Sequence, residues 1–301
     1  LHNTLFPYTT LFRSRFRREE KLYTHRRYKS VINKFRTWTG EPLSYESITP
    51  QLLRDYETHL IEHYGNKQTT VAANFNAIRS ILYKAIKDGH ASQADNPFFQ
   101  FKIKQGKANR EKLSAQQLSK IEELPMDEDS LIWHVRNYFL FATYCAGVRF
   151  SDMAKMKRCN ISGQRLEYQM SKTGKKKSVK IIPKARAILN HYLSARGKGE
   201  DWLFPILTDY TVKTERQMLN AISSQNALVN KYLKKIADKA DINIDLSFHI
   251  ARHTFADLAR QSGWDVYDIS QALGHSSLKV TEKYLAGFDT AGLDDKMESL
   301  F

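Results

Sequence analysis

The chain has 301 residues with 47 Lys and Arg against 32 Asp and Glu, a formal net charge of +15 that favours a nucleic-acid partner but also fits an ordinary basic protein. Hydrophobic residues make up 42% of the sequence, which excludes wholesale disorder, and no run of about 18 apolar residues predicts a transmembrane helix. The two cysteines, Cys145 and Cys159, exclude a disulfide scaffold and a four-cysteine zinc site, and suggest a reducing compartment.

The first 14 residues differ in character from the chain that follows. They carry no basic start and no continuous apolar run, so they do not form a signal peptide. The segment TLFPYTTLFRS, residues 4–14, resembles the translation of a sequencing-library adapter. We therefore interpret residues 1–14 as non-native, with a genuine aromatic strand as the alternative.

Residues 15–101 are predicted to form an all-helical domain. Helices are expected over residues 15–36, 50–64 and 68–88, because apolar residues recur there at steps of three and four. Gly89 ends the third helix, and Asn96 with Pro97 forms a turn. Residues 102–112, KIKQGKANREK, lack apolar periodicity and are predicted to form a basic linker.

Residues 113–286 are predicted to form a second domain, mainly helical with a small antiparallel sheet. Ser114 and Gln117 make a capping box, and the helix after it carries a buried stripe that ends at Gly147. Alternation at Leu166, Tyr168 and Met170 predicts a strand, and residues 178–182 a second one. The lysine-rich segment 171–177 is then the tip of a β-hairpin. Further helices are expected at about 184–195, 214–240, 248–262, 265–273 and 277–287.

Several polar residues of this second domain are candidates for chemistry. Arg149 directly follows a helix end, where a guanidinium can bind phosphate in a bidentate manner, and Asp152 is placed to orient it. His249 and Arg252 share one face of a helix, and His275 follows Gly274 at a turn. Each has an ordinary structural interpretation when taken alone. His249 and His253 also have the spacing of a metal pair, but the sequence HIARH lacks the Glu of H-E-x-x-H, so no metal is predicted.

The joint order of these motifs resembles the tyrosine recombinases, the phage-integrase family. The sequence contains GVR at 147–149, SKTGK at 171–175, HIAR at 249–252, LGH at 273–275 and Tyr284 nine residues further on. The resemblance extends over residues 15–301. It implies a SAM-like helical core-binding domain followed by an α+β catalytic domain of the DNA breaking-rejoining type.

The resemblance also implies a reaction and the residues that perform it. Tyr284 would attack a phosphodiester of double-stranded DNA and form a 3′-phosphotyrosyl link, without ATP or a metal. Arg149, Arg252 and His275 would stabilise the phosphate, and His249 would accept the tyrosine proton. Lys172 would protonate the departing oxygen; Lys175 and Lys176 remain possible alternatives for it. DNA contacts are expected from a wider set of basic residues: Arg15, Arg17, Arg18, Arg26, Arg27, Lys102, Lys104, Lys107, Arg110, Lys175 and Lys176.

The family resemblance further implies a bacterial cytoplasmic protein associated with the nucleoid. It implies a homotetramer on two DNA sites, an accessory directionality factor and no membrane partner. Residues 287–301 carry Leu293, Met297 and Leu300 at helical spacing, which fits a tail that docks on a neighbouring protomer or on its own domain. Type IB topoisomerase-like relaxation, a non-catalytic DNA-binding relative and a structural or RNA-binding protein are the alternative functions.

Overall fold

The computed structural model divides the chain into two compact units, Leu1–Ala108 and Asn109–Phe301. The residues it describes are 22–40, 44–106, 110–194, 202–208, 210–275, 277–278 and 281–282. Residues 1–14, the tail 287–301 and most of the helix predicted at 277–287 lie outside the described residues. The expectations for them therefore stay predictions.

The described part of the first unit is helical. Its helices are α1 Leu22–Thr39, α2 Pro50–Glu62 and α3 Gln68–Lys87, and a 3-10 turn follows at Pro97–Phe99. The side chain of Thr49 caps α2 by accepting from the amide of Leu52, and Pro50 occupies the first turn, where its missing N–H is not needed. The predicted second and third helices are confirmed within two residues. The first runs three residues further than expected.

The core of the first unit includes one buried aromatic side chain from each helix. Phe35, Tyr56 and Phe75 are all essentially inaccessible to solvent. The ring of Tyr56 packs edge-on against Phe35 at 4.7 Å and against Phe75 at 5.9 Å between centroids. Such edge-to-face pairs add to the stability that the buried area itself supplies. The three helices thus meet at a single aromatic cluster.

The second unit consists of helices around a small sheet. Its helices are α4 Ala115–Glu123, α5 Leu131–Tyr144, α6 Phe150–Met153, α7 Pro183–Ser194, α8 Glu215–Lys239, α9 Ile250–Gln261 and α10 Val266–Leu273. The strands β1 Ile161–Ser162, β2 Arg165–Gln169 and β3 Lys176–Lys180 form one antiparallel sheet in the order β1-β2-β3. The capping box of Ser114 and Gln117 is present at α4, as predicted.

Three details of the second unit differ from the predictions. Helix α5 ends at Tyr144 rather than at Gly147, because Ala146 and Gly147 both adopt left-handed backbone angles. Strand β3 spans Lys176–Lys180, so it begins and ends two residues earlier than the predicted strand 178–182, since the hairpin turn is shorter than its run of lysines suggests. The short helix α6 and the two-residue strand β1 were not predicted, as neither is long enough to show periodicity.

The fold class expected from the sequence is confirmed: the structure is mainly helical, with one small antiparallel sheet. No helix in the described part of the chain is long and apolar enough to cross a membrane.

Candidate active site

The loop between α5 and α6 presents Arg149. It contains the Ala146–Gly147 turn, in which two successive residues have φ of +57° and +64°. A Cβ added to Gly147 would lie 2.8 Å from Cγ and 2.9 Å from Cα of Arg252, closer than real side chains approach. Only glycine combines this backbone angle with so close an approach. Arg149 follows two residues later as the N-cap of α6.

Arg252 connects this loop to a second one. Its side chain is almost fully buried, and one terminal nitrogen donates to the carbonyl of Gly147 at 3.0 Å. The other terminal nitrogen donates to the carbonyl of Leu273, the residue that ends α10. Gly274 then takes a left-handed angle and reverses the chain so that His275 follows. A single buried guanidinium therefore fixes the positions of the Arg149 loop and the His275 loop.

Arg149 is held on its other side by an acidic group and a thioether. Its Nη1 lies 3.9 Å from Oδ2 of Asp152 and 3.4 Å from the sulfur of Met170. The other carboxylate oxygen of Asp152 accepts from the amide of Ser171 at 2.8 Å. Because Ser171 directly precedes Lys172, Asp152 links Arg149 to the base of the hairpin tip. This is the arrangement that an orienting role of Asp152 requires.

The two histidines lie in a strongly cationic environment. Burial, followed by the charges of Arg252, Arg149 and Lys172, lowers the pKa of His249 to about 4. The same causes in the same order, with Lys177 in addition, lower the pKa of His275 to about 4. Both imidazoles are therefore neutral at pH 7 in the DNA-free protein. Nδ1 of His275 lies 2.7 Å from the hydroxyl of Thr281, which fixes the orientation of the ring.

The structure thus brings five of the predicted catalytic residues into one region: Arg149, Lys172, His249, Arg252 and His275. Lys172 is exposed in the turn between β2 and β3. The Nζ of Lys175 is 3.5 Å from the carbonyl of His275, and Lys176 is exposed at the start of β3. Tyr284 lies outside the described residues, so the position of its hydroxyl stays a prediction.

Sequence reasoning missed Lys177, which lies within this region. Its side chain is buried on β3, and burial together with the charges of Arg252 and Arg149 lowers its pKa to about 7. Lys177 pairs with the buried Tyr168 of β2, so strand alternation would have identified it once the register was known.

The other residues predicted to contact DNA fall into two groups. Arg26, Arg27, Lys102 and Lys104 are exposed, and Arg110 is half-buried. Arg27 also donates to the carbonyl of Ala73 at 3.1 Å. The remaining predicted contacts lie outside the described residues: Arg15, Arg17, Arg18 and Lys107.

His249 and His253, which have the spacing of a metal pair, pack against each other in the structure. Their rings meet edge-on with centroids 4.7 Å apart. Within the described ranges, no group of three or more His, Cys, Asp or Glu side chains is placed to hold a metal ion.

Comparisons with known proteins support the same family as the sequence motifs do. The model of the phage integrase family matches residues 111–290, and the model of the phage integrase SAM-like domain matches residues 4–103. The chain is 26% identical over 293 residues to the tyrosine recombinase XerC of Thermodesulfovibrio yellowstonii, an alignment that covers 94% of this chain and 92% of the relative.

Two solved structures show the same fold. One is a lambda integrase (residues 75–356) dimer bound to a COC′ core site, with a TM-score of 0.71, 19% identity and coverage of 93% of this chain and 95% of that chain. The other is a lambda integrase tetramer bound to a Holliday junction, with a TM-score of 0.70, 18% identity and coverage of 93% and 77%. With the family model matching more than half of its length, the chain belongs to the phage integrase family, the family of the tyrosine recombinases.

Proposed function

We propose that this protein recombines double-stranded DNA at specific sites by transesterification, with Tyr284 as the nucleophile. The tyrosine oxygen attacks a phosphodiester, a 3′-phosphotyrosyl bond forms, and the 5′-oxygen leaves as a hydroxyl. Attack by a 5′-hydroxyl of another strand reverses the step and releases Tyr284. Each step exchanges one phosphoester for another, so the bond energy is retained and no ATP is consumed.

The observation that carries this proposal is the pair of contacts made by Arg252, which unites the Arg149 loop with the His275 loop. A phosphodiester gains negative charge on its non-bridging oxygens in the transition state. Two guanidiniums fixed by buried contacts stabilise that charge without needing to reorganise. His275 adds a further donor when the hydroxyl of Thr281 donates to Nδ1, because the ring then carries its proton on Nε2.

The proton transfers are assigned to His249 and Lys172. Free tyrosine has a pKa of about 10, so the hydroxyl of Tyr284 needs a proton acceptor at neutral pH. His249 is neutral at pH 7, because its pKa is lowered to about 4, so its imidazole is able to accept. Lys172 carries an exposed ammonium at the hairpin tip and donates to the departing 5′-oxygen, with Lys175 and Lys176 as the alternative donors.

The assembly is also part of the proposal. The two lambda integrase structures hold a dimer on a core site and a tetramer on a Holliday junction, and this chain shares their fold. We infer a homotetramer on two DNA sites, with residues 287–301 docking on a neighbouring protomer. Integration and excision are the expected outcomes, with direction set by an accessory factor.

The test is covalent trapping on a nicked suicide duplex. The substrate is a pool of DNA that flanks the encoding gene, and the buffer contains EDTA and no ATP. We expect a protease-sensitive protein–DNA adduct with the wild type and none with Tyr284→Phe. Tyr267→Phe is the matched control, because Tyr267 is an exposed tyrosine on α10, and it should form the adduct normally. An adduct that persists in Tyr284→Phe excludes this nucleophile, and salt-sensitive binding without any adduct excludes the catalytic function.

A further inference from the structure

Lys177 is a buried amine that has no role in the reaction proposed above. It lies on β3 between two exposed residues, Lys176 and Ser178, and is 7% exposed. Strand alternation turns it inward, opposite the buried Tyr168, with its Nζ 6.0 Å from the centre of that ring. A buried ammonium destabilises a fold unless a specific partner offsets its loss of hydration. The contacts of Lys177 therefore indicate what it does.

The partner of Lys177 is the turn in front of Arg149. Its Nζ donates to the carbonyl of Ala146 at 3.0 Å. The next carbonyl along the chain, that of Gly147, accepts from Arg252. Two consecutive carbonyls of the Ala146–Gly147 turn thus accept hydrogen bonds from two different buried basic side chains.

This turn needs such support from outside. Ala146 has a φ of +57°, a left-handed backbone angle that is strained for a residue with a Cβ. Such angles persist where surrounding contacts over-determine them. The turn also sets the position of the Arg149 backbone, because the amide of Val148, directly after the turn, donates to the carbonyl of Ala142 in α5. Any loosening of the turn displaces the guanidinium of Arg149.

We propose that Lys177 is a positioning residue that holds the Ala146–Gly147 turn from β3, while Arg252 holds it from α9, so that both arginines face the same phosphate. This inference rests on the proposed function, since the phosphate is the DNA phosphate that Tyr284 attacks. Lys177 does not contact DNA in this role and acts only through Arg149 and Arg252.

The first test compares Lys177→Met with the wild type in single-turnover cleavage and in equilibrium DNA binding. Methionine keeps the length of the side chain but removes its donor. We expect cleavage to slow by about tenfold to a hundredfold, as a small displacement of a catalytic group does, with DNA affinity unchanged within about twofold. Lys180→Met, an exposed position on the same strand, is the matched control and should cleave normally. Wild-type cleavage by Lys177→Met overturns the proposal.

The second test separates positioning from a general effect on the fold. Lys177→Met and Arg149→Lys are combined in a double-mutant cycle of cleavage rates. If Lys177 acts through Arg149, its substitution costs little in the Arg149→Lys background; if it only stabilises the fold, the two losses multiply, which overturns the proposal. Should Lys177→Met unfold at the assay temperature, Lys177→Gln takes its place in the same cycle with the same two outcomes.

The third test does not depend on cleavage. Amide hydrogen exchange over residues 142–153 should be about tenfold faster in Lys177→Met, while peptides from α8 stay unchanged. Unchanged exchange over residues 142–153 overturns the positioning role even if the protein cleaves DNA. If the wild type forms no adduct but the exchange result holds, the proposed function fails and the support of the turn by Lys177 stands.

Discussion

Replacing Gly147 with alanine should disable the candidate site by two separable physical effects. The first is the left-handed angle of +64°, which costs alanine about 1–2 kcal/mol relative to glycine. The second is crowding, because the new Cβ would lie 2.8–3.0 Å from Cα, Cβ and Cγ of Arg252. Forcing extra atoms into a packed region typically costs about 1–3 kcal/mol. Together they predict a loss of about 2–5 kcal/mol in the free energy of unfolding.

Gly163→Ala provides the matched control for this substitution. Gly163 has a similar φ of +56°, but no atom lies within 4 Å of the position its Cβ would take. It should therefore lose only the first contribution, about 1–2 kcal/mol, and keep full activity. The difference between the two variants measures the crowding against Arg252 alone.

The assay is urea and thermal unfolding of both variants, followed by single-turnover cleavage of the suicide duplex. Gly147→Ala should cleave about 100-fold or more slowly, because Arg252 has to move away from the carbonyl of Gly147. Equal destabilisation by the two substitutions would refute the claim that Arg252 packs directly on Gly147. Normal cleavage by Gly147→Ala would refute the link between this packing and the chemistry.

Three further predictions follow from the geometry. Asp152→Asn keeps an acceptor for the amide of Ser171 but removes the carboxylate beside Arg149. Single-turnover cleavage should therefore slow by about tenfold, while the dissociation constant for DNA stays within about twofold. Unchanged cleavage would contradict the orienting role of Asp152. His249 and His275 have pKa values lowered to about 4, below the unfolded value of 6.5, so the unfolded chain binds more protons at acidic pH. Calorimetry should therefore show the stability falling as the pH drops from about 7 towards 4. A melting temperature that is flat between pH 7 and 5 would contradict the burial of these two histidines. Affinity for DNA should fall steeply between about 50 and 200 mM salt, and a salt-independent affinity would argue against binding through phosphates.

Most of the fold was accessible from the sequence because its signals are local. The 3.6-residue period over α3, the capping box of Ser114 and the inward alternation of Leu166 and Tyr168 each depend on a few neighbouring residues. The elements that were missed, α6 and β1, are too short to show a period. Their existence depends on contacts with distant parts of the chain.

The candidate site was likewise only partly predictable from the sequence. The ordered motifs indicated Arg149, His249, Arg252 and His275, but not which groups hold them in place. Lys177 was hidden because the register of β2 against β3 depends on the length of the turn, and a register shift of one residue would have turned Lys177 outward. A run of lysines shows no pattern that distinguishes the buried member from its exposed neighbours.

The two contacts of Arg252 also bear on how safely the protein handles DNA. They join Arg252 to a carbonyl 105 residues away along the chain and to one 21 residues away. A local opening of either loop breaks this junction and separates the arginines before the rest of the unit unfolds. In the proposed reaction, a chain that is still folding, or one that has been partly damaged, therefore lacks the arrangement needed to cut a strand. Strand breakage would then be confined to the fully folded molecule, which is also the form able to reseal what it cuts.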